Sequence, residues 1–173
     1  MDWGLRAALT DDIEPIADLR AAVLRRDLER LGRYDEHRVR QRLRDNFSAR
    51  HTWVITVAGE FGGCVTLRPA ADDGTHWLEN FYLAPFHQGR GLGSAVLREL
   101  LRKTAATVRL QVLQGSPARR LYERHGFVTE SEDPIDVWMM RPSHPIHADR
   151  VMPGHIGEAE LLVKEARGPV RDQ

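Results

Sequence analysis

The stretch Gln88-Gly89-Arg90-Gly91-Leu92-Gly93-Ser94 sets three glycines at alternate positions between two segments of different periodicity. Before it, His76–Leu83 (HWLENFYL) alternates apolar and polar residues and reads as a strand. After it, Leu92, Val96 and Leu100 fall on one row and Leu97 and Leu101 on the next, which predicts a helix over Ser94–Thr104. Glycines at such a strand-to-helix turn adopt positive φ without strain, so successive N–H groups can face one concavity. The helix dipole favours an anion at the same place. The stretch therefore reads as a diphosphate cradle. A dinucleotide fingerprint is excluded, because counting from Gly89 its third glycine falls on Ser94; an ATP-binding P-loop is excluded because no lysine follows.

Working outward, Trp3–Leu9 reads as a strand and Thr10-Asp11-Asp12 as the start of a helix that ends at Gly32. A polar helix is expected over Asp35–Asn46, with Arg38, Arg40, Arg42 and Arg44 spread around it as a solvated surface. Thr52–Ala58 and Phe61–Leu67 read as a hairpin about Gly59-Glu60, and Val108–Leu113 as a further strand. Ser116 and Pro117 suit the N-cap and first position of a helix that closes at Gly126. Phe127–Thr129 and Ile135–Met140 read as two closing strands around an acidic loop. The order β-α-α-β-β-β-α-β-α-β-β predicts a mixed α/β (α+β) domain around one sheet over residues 1–142. Residues 143–173 read as a Pro- and Gly-containing appendage with a helical stretch at 157–166.

Two motifs now carry a resemblance. Gln88-Gly89-Arg90-Gly91-Leu92-Gly93, preceded by Leu83-Ala84-Pro85, resembles the acyl-CoA loop of the GNAT superfamily of N-acyltransferases. Ala118-Arg119-Arg120-Leu121-Tyr122-Glu123-Arg124-His125-Gly126-Phe127 resembles that family's Leu-Tyr-x-x-x-Gly-Phe helix-to-strand motif. The element order matches the family's fold to about residue 141. The resemblance implies a mostly antiparallel sheet, flanked by helices, in which the fourth and fifth strands, His76–Leu83 and Val108–Leu113, splay apart. It implies acetyl-CoA as cosubstrate: the pantetheine pairs with backbone near Phe81, Tyr82 and Leu83, and the pyrophosphate sits on the amides of Gly89, Arg90, Gly91, Leu92, Gly93 and Ser94. Gln88 would brace the loop. Where many relatives carry an asparagine three residues before the position of Ala118, this chain has Gly115, and Ser116 is the substitute partner for the pantetheine.

The implied chemistry is direct attack of an amine on the thioester. Backbone near Leu83 would polarise the carbonyl, and Tyr122 would protonate or hydrogen-bond the leaving thiolate. Glu79 is the candidate base; alternation would put it on one face with Phe81 and Leu83. Orienting substrate or balancing charge is its alternative role. His76 is a weaker candidate, expected at the strand's mouth. Cys64, the single cysteine, reads as a small buried hydrophobe rather than a nucleophile, and it excludes an intramolecular disulfide and a Cys-based zinc site. The eight histidines show no HExxH pattern, and no metal is expected.

Charge narrows the partners. The formal net charge of zero argues against nucleic acid, and the absence of an apolar run of about 18 residues argues against a membrane span. No targeting segment is seen, so a cytoplasmic protein is expected. Zero is a sum of opposites: residues 86–125 hold eight basic and two acidic residues, while Glu130, Glu132, Asp133 and Asp136 lie in a stretch without a base. A polyanionic cofactor suits the first and a cationic amine the second. The expected acceptor is a cationic small molecule; a protein lysine or N-terminus, and a non-catalytic acyl-CoA-binding regulatory domain, are the alternatives. A homodimer is left open.

Overall fold

A computed structural model describes residues 1–70 and 72–144. The appendage expected beyond residue 142, with its helix at 157–166, lies almost wholly outside them. The elements in chain order are β1 (Trp3–Ala7), α1 (Ile13–Arg30), α2 (Glu36–Asn46), β2 (Thr52–Val57), β3 (Glu60–Pro69), β4 (His76–Leu83), α3 (Leu92–Arg102), β5 (Val108–Leu113), α4 (Ala118–Arg124), β6 (Val128–Glu132) and β7 (Asp136–Arg141). The seven strands form one sheet in the order β1-β2-β3-β4-β5-β7-β6. Every neighbouring pair is antiparallel except β4 and β5.

The parallel pair is short. It holds only at His76↔Val108, Trp77↔Arg109 and Leu78↔Leu110. From Glu79 onward β4 has no partner on its β5 side, so the sheet splits there, as the resemblance implied. Five residues of β4 run past the split, about 17 Å of strand.

The apolar periodicities divide the core between the two faces of the sheet. On one face, Leu92, Val96, Leu97, Leu100 and Leu101 of α3 pack with Tyr122 of α4 and with Ile55, Val65, Leu78, Leu110 and Met139 of the strands. On the other, Ile16 and Ala17 of α1 and Leu43 of α2 pack on Val54 and Cys64. Asp35 caps α2, its carboxylate accepting from the Arg38 N–H at 2.9 Å. The arginines of α2 are not merely solvated: Arg40 pairs with Asp18 and Arg44 with Glu14, both on α1.

Local chemistry sets the element ends. The β2–β3 hairpin turns at Ala58 and Gly59, with φ of 51° and 83°, the pairing of positive values that a two-residue hairpin needs. Helix α3 begins two residues before the predicted start, because Gly91 at φ 82° is its N-cap. Helix α4 closes on Gly126 at φ 86°, whose N–H bonds to the Glu123 carbonyl while the Phe127 N–H bonds to that of Tyr122.

Candidate active site

The loop between β4 and α3 presents backbone donors. The N–H groups of Gly89, Arg90, Gly91, Leu92, Gly93 and Ser94 have no acceptor among the described residues; the first paired one is Ala95, bonded to the Gly91 carbonyl at 3.1 Å. Gly89 and Gly91 hold φ of 69° and 82°, and a Cβ on either would meet nothing within 4 Å. Their lack of a side chain serves the turn and leaves the amides open. Gly93 differs: its φ is ordinary, and a Cβ there would lie 3.3 Å from Leu121 and 3.6 Å from Leu83. It lets α3 approach α4 and β4 closely rather than admitting an anion.

Side chains hold this loop at the open end of the split. Gln88 Nε2 donates to the Leu83 carbonyl at 2.9 Å, the bracing expected of it. The Ser94 hydroxyl lies 3.2 Å from His125 Nε2, joining the start of α3 to the end of α4. The Arg90 guanidinium stacks over exposed Phe86 at 4.4 Å. Of the eight cations between residues 86 and 125, Arg102, Lys103, Arg109 and Arg119 are ion-paired. Arg90, Arg98, Arg120 and Arg124, on this loop, α3 and α4, have no carboxylate partner among the described residues. The amide loop thus carries an unpaired cation, Arg90, and the helices that follow it carry the other three.

Tyr122 is buried, edge-on to Phe127 at 5.8 Å between ring centres. Its hydroxyl has no hydrogen-bond partner among the described residues, and burial raises its pKa well above the ordinary value. Ser116 lies past the end of β5, on the other limb of the split. Its hydroxyl accepts from the Ala118 N–H at 3.3 Å, although the helix starts at Ala118 with Pro117, not Ser116, in the N-cap position. Gly115 holds φ 73° beneath the Arg30 guanidinium of α1, which would lie 2.8 Å from a Cβ and which donates to the Gln114 carbonyl.

One expectation about β4 fails. Between Cys64↔Tyr82 and Thr66↔Glu79, one residue of β3 faces two of β4. The extra residue is Asn80, at φ 49°. This bulge reverses the alternation. Phe81 and Leu83 join Leu78 on the α3–α4 face, whereas Tyr82 packs on the α1–α2 face. Glu79 lies on that same α1–α2 side, in register with Thr66 as Tyr82 is with Cys64, so it does not share a face with Phe81 and Leu83. Its carboxylate accepts from Arg68 Nε at 3.2 Å.

Sequence reasoning missed the group that gathers at the bulge. Arg20 of α1 donates from Nη1 to Asn80 Oδ1 at 3.1 Å and to the Tyr82 hydroxyl at 3.0 Å. One arginine among many gives no signal; only the turn of α1 over β4 brings it here. Burial pushes the Tyr82 phenol and the Cys64 thiol each up to about 12. Cys64 is buried and donates to the Asn80 carbonyl, in keeping with its reading as a core residue.

His76 is not at the strand's mouth. It pairs with Val108 and Pro69 at the closed end of the split, about 23 Å of strand from Leu83. There it lines a cavity of about 510 Å³ with His51, Trp53, Leu100 and Lys103. The acidic hairpin is also less free than its composition suggests. Glu130 pairs with Arg109, Glu132 with Arg119, and Asp133 accepts the N–H groups of Ile135 and Asp136. Among the described residues no group of three or more metal-ligating side chains is assembled, and no helix is long and apolar enough to cross a membrane.

A sheet split between parallel β4 and β5, with open amides at the N-terminus of the following helix, defines the class: an acyl-CoA N-acyltransferase fold. Residues 48–129 match the family model described as an acetyltransferase (GNAT) domain. The match is to the GNAT domain over those residues, and the fold is that of the solved N-acetyltransferases it resembles. Among solved structures it is similar to the PaiA N-acetyltransferase from Thermoplasma acidophilum in complex with coenzyme A, at 20% identity and TM-score 0.65, covering 82% of this chain and 99% of that one. It is similar to the ribosomal-protein-S18-alanine N-acetyltransferase from Escherichia coli, at 21% identity and TM-score 0.61, over 82% and 94%. N-acetylglutamate synthase from Neisseria gonorrhoeae, complexed with coenzyme A and L-arginine, matches at 20% identity and TM-score 0.58, over 82% of this chain and 33% of that one. A search of the curated proteins gave no match.

Proposed function

We propose that this protein transfers an acetyl group from acetyl-CoA to a small-molecule primary amine by direct attack, in the cytoplasm where acetyl-CoA is made and used. The observation that carries this reading is the run of six unpaired amides from Gly89 to Ser94 beside the open edge of β4. The amides and the unpaired arginines suit a pyrophosphate, and the free edge at Phe81–Leu83 suits an amide-bearing pantetheine arm. Ser116, on the opposite limb, can contact that arm. The cosubstrate supplies the activated acyl group; the chain positions it and moves protons.

The bulge gives the two candidate proton-transfer groups opposite sides of the sheet. Tyr122 belongs to the α3–α4 face and Glu79 to the α1–α2 face. An amine enters from the α1–α2 side. The nitrogen of the neutral amine attacks the thioester carbonyl carbon and gives up one N–H proton to Glu79, directly or through water, the C–S bond breaks, the thiolate takes the proton of Tyr122, and the proton on Glu79 returns through solvent to the Tyr122 phenolate. Burial keeps that phenol protonated at neutral pH, as a donor requires. Backbone at the end of β4 polarises the carbonyl. The engaged carboxylates of the 130–136 hairpin give little pull on a polycation, which favours a small amine.

The test is release of free CoA thiol from acetyl-CoA over a panel of diamines, aminoglycosides, amino acids and peptides. Amine-dependent thiol release from a small molecule is expected. Release only with peptides would move the acceptor to protein lysines or N-termini. Acetyl-CoA binding with no release for any amine would leave a regulatory acyl-CoA-binding domain.

A further inference from the structure

Among the described residues, Arg20 is a cation against β4 without a counter-charge. Its Nη1 is fixed by Asn80 and Tyr82, but its Nε is buried with no partner, and no carboxylate lies within 4 Å among the described residues. Its neighbours cannot neutralise it. The Tyr82 phenol and the Cys64 thiol are protonated at neutral pH, Asn80 is uncharged, and Glu79 already faces Arg68. A partly desolvated guanidinium with orphan donors is costly unless an anion completes it. A carboxylate is the natural complement of the guanidinium fork. The residues concerned, Arg20, Glu79, Asn80 and Tyr82, are all only half-buried, so the cluster reaches solvent on the α1–α2 side.

Resting on the acetyltransferase reading, we propose that Arg20 determines acceptor specificity by binding a carboxylate carried by the amine substrate itself, so that the acceptor is a small amino acid. Glu79 and Arg20 then offer one negative and one positive group on the same side of β4. The contacts of Arg20 begin at the residue next to Glu79 and end three residues along the strand, at most about 10 Å away. That span suits an ammonium and a carboxylate on one small molecule. The bulge makes the arrangement: it turns Tyr82 toward α1, and Asn80 holds the guanidinium in place.

The experiment measures acetyl-CoA affinity by calorimetry and steady-state kinetics over common amino acids paired with their amides, for wild type, Arg20→Gln and Arg20→Lys. For wild type, the best acceptor is expected to carry a carboxylate, and its amide to lose at least tenfold in kcat/KM, mainly through KM. Arg20→Gln is expected to raise KM for the acid at least tenfold while KM for the amide stays within about twofold, and Arg20→Lys to recover part of the loss. Amides or simple diamines used as well as amino acids would overturn the proposal alone. So would Arg20→Gln raising KM for acid and amide alike, the mark of a purely structural role. Failure of the wild type to bind acetyl-CoA would overturn the acetyltransferase reading and this proposal with it.

Discussion

Tyr122 shows how far single residues were legible. The resemblance of the 118–127 segment singles it out, and the helix-closing Gly126 with the core Phe127 after it fixes its register at the end of α4. Asn80 was not found: a bulge is a choice of the backbone between two pairings, and no side chain announces it. Arg20 was invisible for a related reason, since only the packing of α1 on β4 distinguishes it from the other arginines. At this scale Tyr122→Phe is expected to lower kcat about a hundredfold, with little change in acetyl-CoA affinity. Full turnover by the variant would remove the acid role. A second residue is expected to govern acid stability. Arg6 grips both oxygens of Asp12 at 2.8 Å and holds that carboxyl below its ordinary 3.8. The stability this confers is present above pH 4 and lost as pH falls through the ordinary value toward the native one. Asp12→Asn should therefore lower stability at pH 7 and flatten the acid limb of a denaturation series; an unchanged limb would assign it to other groups.

Among elements, the strands and helices were legible because their periodicities differ, and their ends were less so. The expected start of α3, after the last glycine of the loop, is two residues late because Gly91 is the cap. The expected face of Glu79 was wrong because alternation was carried through a bulge. Gly62-Gly63 on β3 mark a second irregularity, where Gly62 is the extra residue between Ile55↔Gly63 and Thr56↔Phe61 of the β2–β3 pair. A Cβ on Gly63 would stand 2.3 Å from the Tyr82 carbonyl oxygen, so β3 and β4 approach there only because the residue is glycine. Gly63→Ala is expected to cost about 1–3 kcal/mol in chemical denaturation, because backbone rather than a flexible side chain must yield. A stability equal to wild type would mean that the strands are not so closely set.

For the whole molecule, the neutral balance of charge resolves into two populations. Ion pairs consume the arginines that join α2 to α1 and those that hold the 130–136 hairpin. Within residues 86–125, Arg90, Arg98, Arg120 and Arg124 stay without a carboxylate partner among the described residues. Composition could locate the positive half of the chain but could not separate its paired cations from its unpaired ones, because pairing depends on which strands lie side by side. The split sheet follows the same rule. The resemblance implied it, and the three-position pairing of β4 with β5 gives it a length.

The central claim is that these amides hold the pyrophosphate of acetyl-CoA. Calorimetric titration of acetyl-CoA into wild type and Gly91→Glu tests it most directly. A carboxylate at position 91 would stand among the free N–H groups, on a backbone at φ 82° that favours glycine. Micromolar binding by wild type and at least a hundredfold loss in the folded variant are predicted; equal affinities for the two proteins would contradict the account.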